Sequence, residues 1–150
     1  GIGRFAPLEQ TSTEQWDLMM SVNARGPFLL CREALPHLRK RSVSHIVNIG
    51  SVVSVKGYVN QAAYGASKHA LLGMSKALAR EVQESNVRVH AVCPGGVDTG
   101  LVGDARPDLD RSVLMSPEEI ARAVMTLIDM KGNAVIDEIH LRRAASTPWA

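Results

Sequence analysis

A tyrosine and a lysine stand four residues apart in the segment Tyr64-Gly65-Ala66-Ser67-Lys68. On a helix, this spacing places both side chains on one face, about one turn apart. A free phenol has a pKa of about 10, which is too high for a base at neutral pH. An ammonium at about 5 Å contributes roughly 3 kcal/mol at an effective dielectric constant of 20, and this attraction lowers the phenol pKa. The pair therefore predicts an acid–base group that works near pH 7. The alternative is a surface pair on an amphipathic helix.

Two further polar residues are positioned to join this pair. Ser51 lies thirteen residues before Tyr64 and directly follows Ile46-Val47-Asn48-Ile49, a β-branched stretch typical of a buried strand. A hydroxyl there points into the crevice beyond the strand end, where α/β proteins bind ligands. Asn23 stands four residues before Pro27, and because proline has no N–H, the Asn23 carbonyl is free to hold a water molecule. A helix kink without a chemical role is the alternative for Asn23.

The elements that must position these residues alternate between helix and strand. Thr11-Ser12-Thr13-Glu14 has the form of a capping box with Thr11 as N-cap, and apolar residues continue at helical spacing to about Arg41. A disturbance of this long helix is expected between Asn23 and Pro27. The later elements are predicted as a strand at 46–49, a helix at 62–84, a strand at 87–92, an irregular loop to Met115, a helix from Ser116 to about 131 and a strand at 134–141.

This alternation predicts an α/β fold. Crossover units of this kind form a parallel sheet, here a partial Rossmann-like, doubly wound sheet of about three strands with flanking helices. The length of 150 residues is that of one ordinary domain, so we expect a single domain over residues 1–150.

Composition and charge narrow the function classes. A net charge of +2 with one short basic run, Arg39-Lys40-Arg41, argues against a nucleic-acid surface. No apolar run approaches the roughly 20 residues of a membrane span, and no signal-peptide pattern opens the sequence. Cys31 and Cys93 match no disulfide or metal spacing, and five scattered histidines argue against a catalytic metal. We therefore expect a cytoplasmic protein whose partners include no metal, nucleic acid or membrane.

The stretches Asn48-Ile49-Gly50-Ser51 and Tyr64-Gly65-Ala66-Ser67-Lys68 carry a resemblance to a known family. The sequence resembles the short-chain dehydrogenase/reductases, strongly from Gly1 to Thr99 and by the order of its elements beyond. The resemblance implies hydride transfer between a nicotinamide cofactor and a carbonyl or secondary alcohol. It identifies the chain as the carboxyl-terminal portion of such a protein.

The resemblance also implies roles for four residues. Tyr64 would exchange the substrate proton, and Ser51 would donate a hydrogen bond to the same oxygen, where charge develops. Lys68 would lower the phenol pKa and bind the nicotinamide ribose. The Asn23 carbonyl would hold the water that links Lys68 to bulk solvent.

The implied cofactor is NAD or NADP. The segment Pro94-Gly95-Gly96-Val97-Asp98-Thr99 is similar to the family's nicotinamide-side loop, with the Val97 backbone and Thr99 on the carboxamide. Gly1-Ile2-Gly3 is similar to the tail of the family's Asn-Asn-Ala-Gly motif. The cofactor-binding residues implied by the resemblance are Gly1, Tyr64, Lys68, Pro94, Gly95, Val97 and Thr99.

One part of the family pattern is missing from the sequence. No glycines occur with the spacing of the phosphate-binding turn, and the residue that selects NAD from NADP is absent too. Without that turn, no helix-terminal N–H groups receive the pyrophosphate. We expect the isolated 150 residues to be inactive and to bind the dinucleotide weakly or not at all. We also expect the strand at 46–49 to have an unpaired, apolar edge.

A second hypothesis belongs to a different class of function. The long helices over about Ser12–Arg41 and Ala62–Glu84 commonly pair between subunits in the family, which implies a homo-oligomer. The chain could serve as an oligomerisation or folding module without any chemistry. For the enzyme, the resemblance implies that the loop from Gly100 to Met115 forms a lid over the substrate. The apolar residues of this loop favour a non-sugar alcohol or ketone, but the sequence does not identify the substrate.

Overall fold

Three parallel strands form the sheet of the protein. A computed structural model describes residues 1–148. The strands are β1 (Ser44–Ile49), β2 (Val87–Pro94) and β3 (Glu138–Leu141), in the spatial order β1-β2-β3. Ile49 pairs with Val92 and Cys93 with His140, so the carboxyl ends of the strands lie at one edge of the sheet. The predicted α/β fold with a parallel sheet of about three strands is confirmed.

Five α-helices are found in residues 1–148. They are α1 (Thr13–Met20), α2 (Gly26–Leu38), α3 (Ala62–Glu81), α4 (Gly100–Ala105) and α5 (Pro117–Asp129). Over the same residues, none of these helices has the length and hydropathy needed to cross a bilayer. The helix predicted from Ser116 begins there with a capping box: Ser116 accepts a hydrogen bond from the Glu119 N–H, and the Glu119 carboxylate accepts one from the Ser116 N–H.

The capping box predicted at the first helix was placed one residue too early. Ser12, and not Thr11, is the N-cap of α1: its hydroxyl accepts a hydrogen bond from the Gln15 N–H, and the Gln15 side chain accepts one from the Ser12 N–H. The Thr11 hydroxyl instead donates to the Pro7 carbonyl at 3.1 Å, across a short 3₁₀ turn at Leu8–Gln10. Thr11 therefore belongs to the preceding turn.

The predicted disturbance of the first long helix is a π-helical turn. Residues Ser21–Arg25 adopt this conformation between α1 and α2, and the Gly26 N–H donates to the Ser21 carbonyl. Pro27 lies in the first turn of α2, where its missing N–H costs little. Helix α2, the second part of the predicted long helix, ends at Leu38, whereas the sequence predicts an end near Arg41.

Helices cover both faces of the sheet. On one face, Cys31 of α2 and Leu78 of α3 pack with Val87 and Val89 of β2 in a buried apolar cluster. On the other face, the Arg88 guanidinium donates to backbone carbonyls just after α5, including that of Gly132 at 3.2 Å. Alternate residues of β2 thus contact different layers, as the strand pleat requires.

Several predicted boundaries differ from those in the structure. The second strand extends to Pro94, the third begins only at Glu138, and α3 ends at Glu81. The stretch expected to be an irregular loop contains α4 and a 3₁₀ turn at Arg111–Val113. Within the described part of the chain β1 pairs with β2 alone, so one edge of β1 is open, as expected.

Candidate functional site

Tyr64 lies in the first turn of α3, at the edge of the sheet where the strands end. Its side chain is 8% exposed and packs with Met19, Val53 and Ala63. The Phe5 ring contacts the Tyr64 ring, with centroids 5.4 Å apart and planes at 55°. These apolar neighbours hold the phenol ring in place and exclude water from most of it.

Ser51 follows β1 and caps a single 3₁₀ turn. Its hydroxyl oxygen accepts a hydrogen bond from the Val53 N–H at 3.3 Å, and its own N–H donates to the Ser54 hydroxyl at 3.1 Å. The preceding residue must be small, because a Cβ on Gly50 would lie 2.9 Å from Ser54 Oγ and 3.0 Å from Cys93 Sγ. The turn therefore fixes the Ser51 side chain beside the strand ends.

Lys68 lies one helical turn after Tyr64 and is 6% exposed. Its Nζ donates to the Ile49 carbonyl at 3.0 Å, at the end of β1. The same atom lies 6.0 Å from the centroid of the Tyr64 ring. The four-residue spacing thus brings the ammonium and the phenol to the same end of the sheet.

The pKa of the Tyr64 phenol is raised, whereas the spacing of Tyr64 and Lys68 predicts a lowered value. Burial raises it above the ordinary value of 10.0, and hydrogen bonding with the Ser51 side chain opposes this only in part. Burial also lowers the pKa of Lys68 from its ordinary value of 10.5. The physical reason is the same for both groups, since removal from water disfavours the phenolate and the ammonium alike.

Asn23 is 2% exposed and lies in the π-helical turn. Its side chain makes three hydrogen bonds: Oδ1 accepts from the Ile2 N–H at 2.8 Å, and Nδ2 donates to the Ile2 carbonyl at 2.8 Å and to Ser67 Oγ at 3.0 Å. Ser67 in turn donates to the Tyr64 carbonyl at 2.7 Å. Asn23 therefore connects the amino-terminal segment to α3 through its side chain, a role separate from the one expected of its backbone carbonyl.

Gly1 lies against both Asn23 and Lys68. A Cβ at this position would lie 2.8 Å from Asn23 Oδ1 and 3.5 Å from Lys68 Nζ. The structure thus brings Gly1, Asn23, Ser51, Tyr64 and Lys68 to one end of the sheet.

The segment after β2 leaves the same edge of the sheet. Pro94 is the last residue of β2, and the Gly95 N–H donates to the Leu141 carbonyl at 2.8 Å. Val97 pairs with Met115, and the Thr99 hydroxyl donates to the Val97 carbonyl at 3.4 Å. The backbone of the predicted nicotinamide loop is therefore held by β3 and by the residues before α5.

Four residues that position this site are not among those predicted from the sequence. Phe5 packs on the phenol, Ile2 and Ser67 bind the Asn23 side chain, and Ser54 binds the Ser51 backbone. Only Ser54 had a local signal, since a serine three residues after an N-cap serine can close a capping box. The other contacts join segments that are far apart in the sequence.

The architecture is that of the doubly wound α/β proteins, in which ligands bind beyond the carboxyl ends of the parallel strands. The chain belongs to the short chain dehydrogenase family, whose model matches residues 1–110. It is 39% identical over 134 residues to carbonyl reductase family member 4 of Xenopus laevis, covering 86% of this chain and 57% of that protein.

Solved structures show the same fold. An alcohol dehydrogenase from the archaeon Thermococcus sibiricus, complexed with 5-hydroxy-NADP, matches 99% of this chain with a TM-score of 0.86 and 26% identity. A 3-ketoacyl-(acyl-carrier-protein) reductase from Brucella melitensis, complexed with NADH, matches 95% with a TM-score of 0.82 and 27% identity. The chain covers 62% of each of these two proteins, so it spans less than two thirds of the length of its relatives.

Proposed function

We propose that the protein containing this chain is an NAD(P)-dependent oxidoreductase that interconverts a carbonyl and a secondary alcohol. The observation that carries the proposal is the placement of the Tyr64 phenol, the Lys68 ammonium and Ser51 together at the carboxyl edge of the sheet. Relatives named as a carbonyl reductase, an alcohol dehydrogenase and a ketoacyl reductase support the same reaction class.

In the proposed mechanism, Tyr64 is the general acid for carbonyl reduction and the general base for the reverse reaction. Its hydroxyl gives a proton to the oxygen that becomes the alkoxide. Ser51 donates a hydrogen bond to the same oxygen, where negative charge develops in the transition state. The apolar packing around Tyr64 excludes water and keeps the phenol in one orientation.

The residues of this chain fit the nicotinamide half of NAD or NADP. The buried Lys68 ammonium has donors left after its bond to Ile49, and these suit the ribose hydroxyls. Gly1, Pro94, Gly95, Val97 and Thr99 lie around the same edge and would hold the nicotinamide ring and its carboxamide. The chemistry that the bound cofactor supplies is hydride transfer at C4. The Asn23 carbonyl would hold a water through which Lys68 exchanges protons with solvent.

The direct test is Tyr64→Phe in the complete protein, assayed with NADH and NADPH against apolar ketones. Loss of the phenolic proton donor should lower kcat by about 10²–10⁴-fold. The matched control is Tyr58→Phe, because Tyr58 is the other tyrosine and is exposed in a loop. Circular dichroism and thermal unfolding should show both variants folded. Unchanged turnover in Tyr64→Phe would remove Tyr64 from the mechanism.

The second candidate, an oligomerisation module, is favoured by one specific surface. Large apolar side chains of the first long helix are exposed, namely Leu18, Val22, Phe28 and Leu30. The exposed side of α3 carries small residues such as Gly73 and Ala77, which permit close helix packing. We propose that these helices pair in a homo-oligomer. A module without chemistry would show no reduction of any ketone in the assay described above.

The compartment proposed for the protein is the cytoplasm. Cys31 and Cys93 are both buried free thiols, and unpaired cysteines are typical of proteins kept in a reducing environment.

A further inference from the structure

Three side chains with metal-binding atoms meet where β2 and β3 pair. They are Cys93, Glu138 and His140, and one ligand atom from each lies within 4.8 Å of the others. Cys93 and His140 are register partners across the two strands, and Glu138 is two residues before His140. Because alternate residues of a strand share a face, the sheet itself brings all three to one side.

We propose that Cys93, Glu138 and His140 form a binding site for Zn²⁺. A thiolate, an imidazole and a carboxylate are the three ligand types that zinc takes in proteins. Around a tetrahedral Zn²⁺ such donors stand about 3.4–3.6 Å apart, so the observed cluster needs only small side-chain adjustments. Binding displaces the Cys93 thiol proton to solvent, because the thiolate is the ligand.

A bound cation would replace one contact within the cluster and would leave the contacts that orient Glu138 and Cys93 in place. His140 Nε2 and Glu138 Oε1 are 2.7 Å apart, and the metal would take the place of the proton between them. The second carboxylate oxygen, Oε2, is paired with Lys76 Nζ at 3.1 Å, which orients Glu138 from outside the site. Cys93 is fixed by packing against Leu72 and Ala91.

Access and a fourth ligand are both available. His140 is exposed, whereas Cys93 is 1% exposed, so the site lies between solvent and the buried end of β2. The exposed side of His140 opens the cluster to solvent. A water molecule from solvent is the fourth ligand expected in a three-residue zinc site.

This site is separate from the proposed mechanism. Cys93 lies beside Ser54 and the Ser51 backbone and within range of the Lys68 charge, but none of the three ligands is itself among the residues proposed to bind substrate or cofactor. The effect expected of the metal is to join β3 to the end of β2. Zn²⁺ should therefore raise the temperature of unfolding of the protein by mass action.

Titration with Zn²⁺ and Co²⁺ tests the proposal on the purified, metal-free protein. Calorimetry should show one Zn²⁺ per chain, and Co²⁺ should give a thiolate-to-metal charge-transfer band and the visible bands of a tetrahedral site. Cys93→Ser should abolish the charge-transfer band. His140→Gln, at an exposed position that tolerates substitution, should weaken Zn²⁺ binding at least tenfold.

Two matched variants complete the experiment. Cys31→Ser removes the other buried thiol, and His69→Gln replaces an exposed histidine on α3, so neither should change metal binding. Binding without a charge-transfer band, or equal affinity in wild type and His140→Gln, would overturn the proposal. So would the absence of stoichiometric binding by the wild-type protein.

Discussion

Tyr64 and Lys68 are both buried in a place where water stabilises neither of their charged forms. Burial raises the pKa of the phenol and lowers the pKa of the ammonium, which is the wrong direction for a tyrosine base. An added positive charge near the phenol would reverse the first shift, because an opposite charge favours the phenolate. The oxidised nicotinamide ring carries such a charge, so the proposed acid–base role of Tyr64 depends on the occupied site.

The buried lysine gives the protein a pH-dependent stability. In the folded chain, burial lowers the Lys68 pKa below 10.5, so the unfolded chain binds the proton more tightly. Stability must then rise with pH through this range, up to the ordinary lysine value. We expect the unfolding free energy of wild type, measured relative to Lys68→Met in urea, to increase between pH 7 and pH 10.

The control for this measurement is Lys131→Met, at an exposed position. Its unfolding free energy relative to wild type should stay constant over the same pH range. A constant difference between wild type and Lys68→Met would show that the Lys68 ammonium is as well solvated in the folded chain as in the unfolded one.

At the scale of elements, the π-helical turn places a side chain between two distant segments. Asn23 binds both backbone groups of Ile2 and the hydroxyl of Ser67, so it joins the amino-terminal segment to α3. Asn23→Ala leaves these buried groups unpaired and should cost about 1–3 kcal/mol of unfolding free energy. The Ile2 amide should also exchange its hydrogen faster, which mass spectrometry or NMR can measure.

Asn133→Ala is the matched control, because Asn133 is exposed in the loop after α5. Its unfolding free energy should stay within about 0.5 kcal/mol of wild type. If Asn23→Ala unfolds like wild type and the Ile2 amide remains protected, the side chain of Asn23 does not hold the amino-terminal segment.

The order of the elements could be predicted from the sequence because its signals are local. Pro27 marks the π-helical turn, and Ser116 with Glu119 marks the start of α5. The first cap was misplaced because Thr11 and Ser12 are both suitable, and only the bond from Thr11 to Pro7 decides between them. The strand register that sets Cys93 beside His140 is a tertiary property and has no local signal.

In the candidate site too, local spacing could be predicted from the sequence and tertiary packing could not. The spacing of Tyr64 and Lys68 is helical and is readable from the sequence. The burial that raises the pKa of Tyr64 comes from Phe5, Met19 and Val53, which lie in other segments. The position of the Tyr64 phenol could therefore be predicted, whereas the sign of its pKa shift required the packing around it.

At the scale of the whole molecule, the proposed function gives the chain one half of a dinucleotide site. The residues proposed for the nicotinamide side lie at the carboxyl edge of a three-stranded sheet. The sequence has no glycine-rich turn with the spacing that presents helix N–H groups to a pyrophosphate. Within residues 1–148, β1 also leaves an apolar edge open, and such an edge favours association between copies.

The 150 residues alone should therefore bind NADH and NADPH weakly, because they contact the nicotinamide half of the dinucleotide but provide no N–H groups for its pyrophosphate. The nicotinamide contacts alone should give a binding free energy of only about 4 kcal/mol, which corresponds to a Kd of about 1 mM. Isothermal titration with millimolar dinucleotide should therefore show no saturation. Light scattering on the same sample must show a monodisperse species, because association through the β1 edge could also block the site. The complete protein is the positive control. A micromolar Kd for the monodisperse 150-residue chain would mean that its own residues bind the pyrophosphate without the glycine-rich turn.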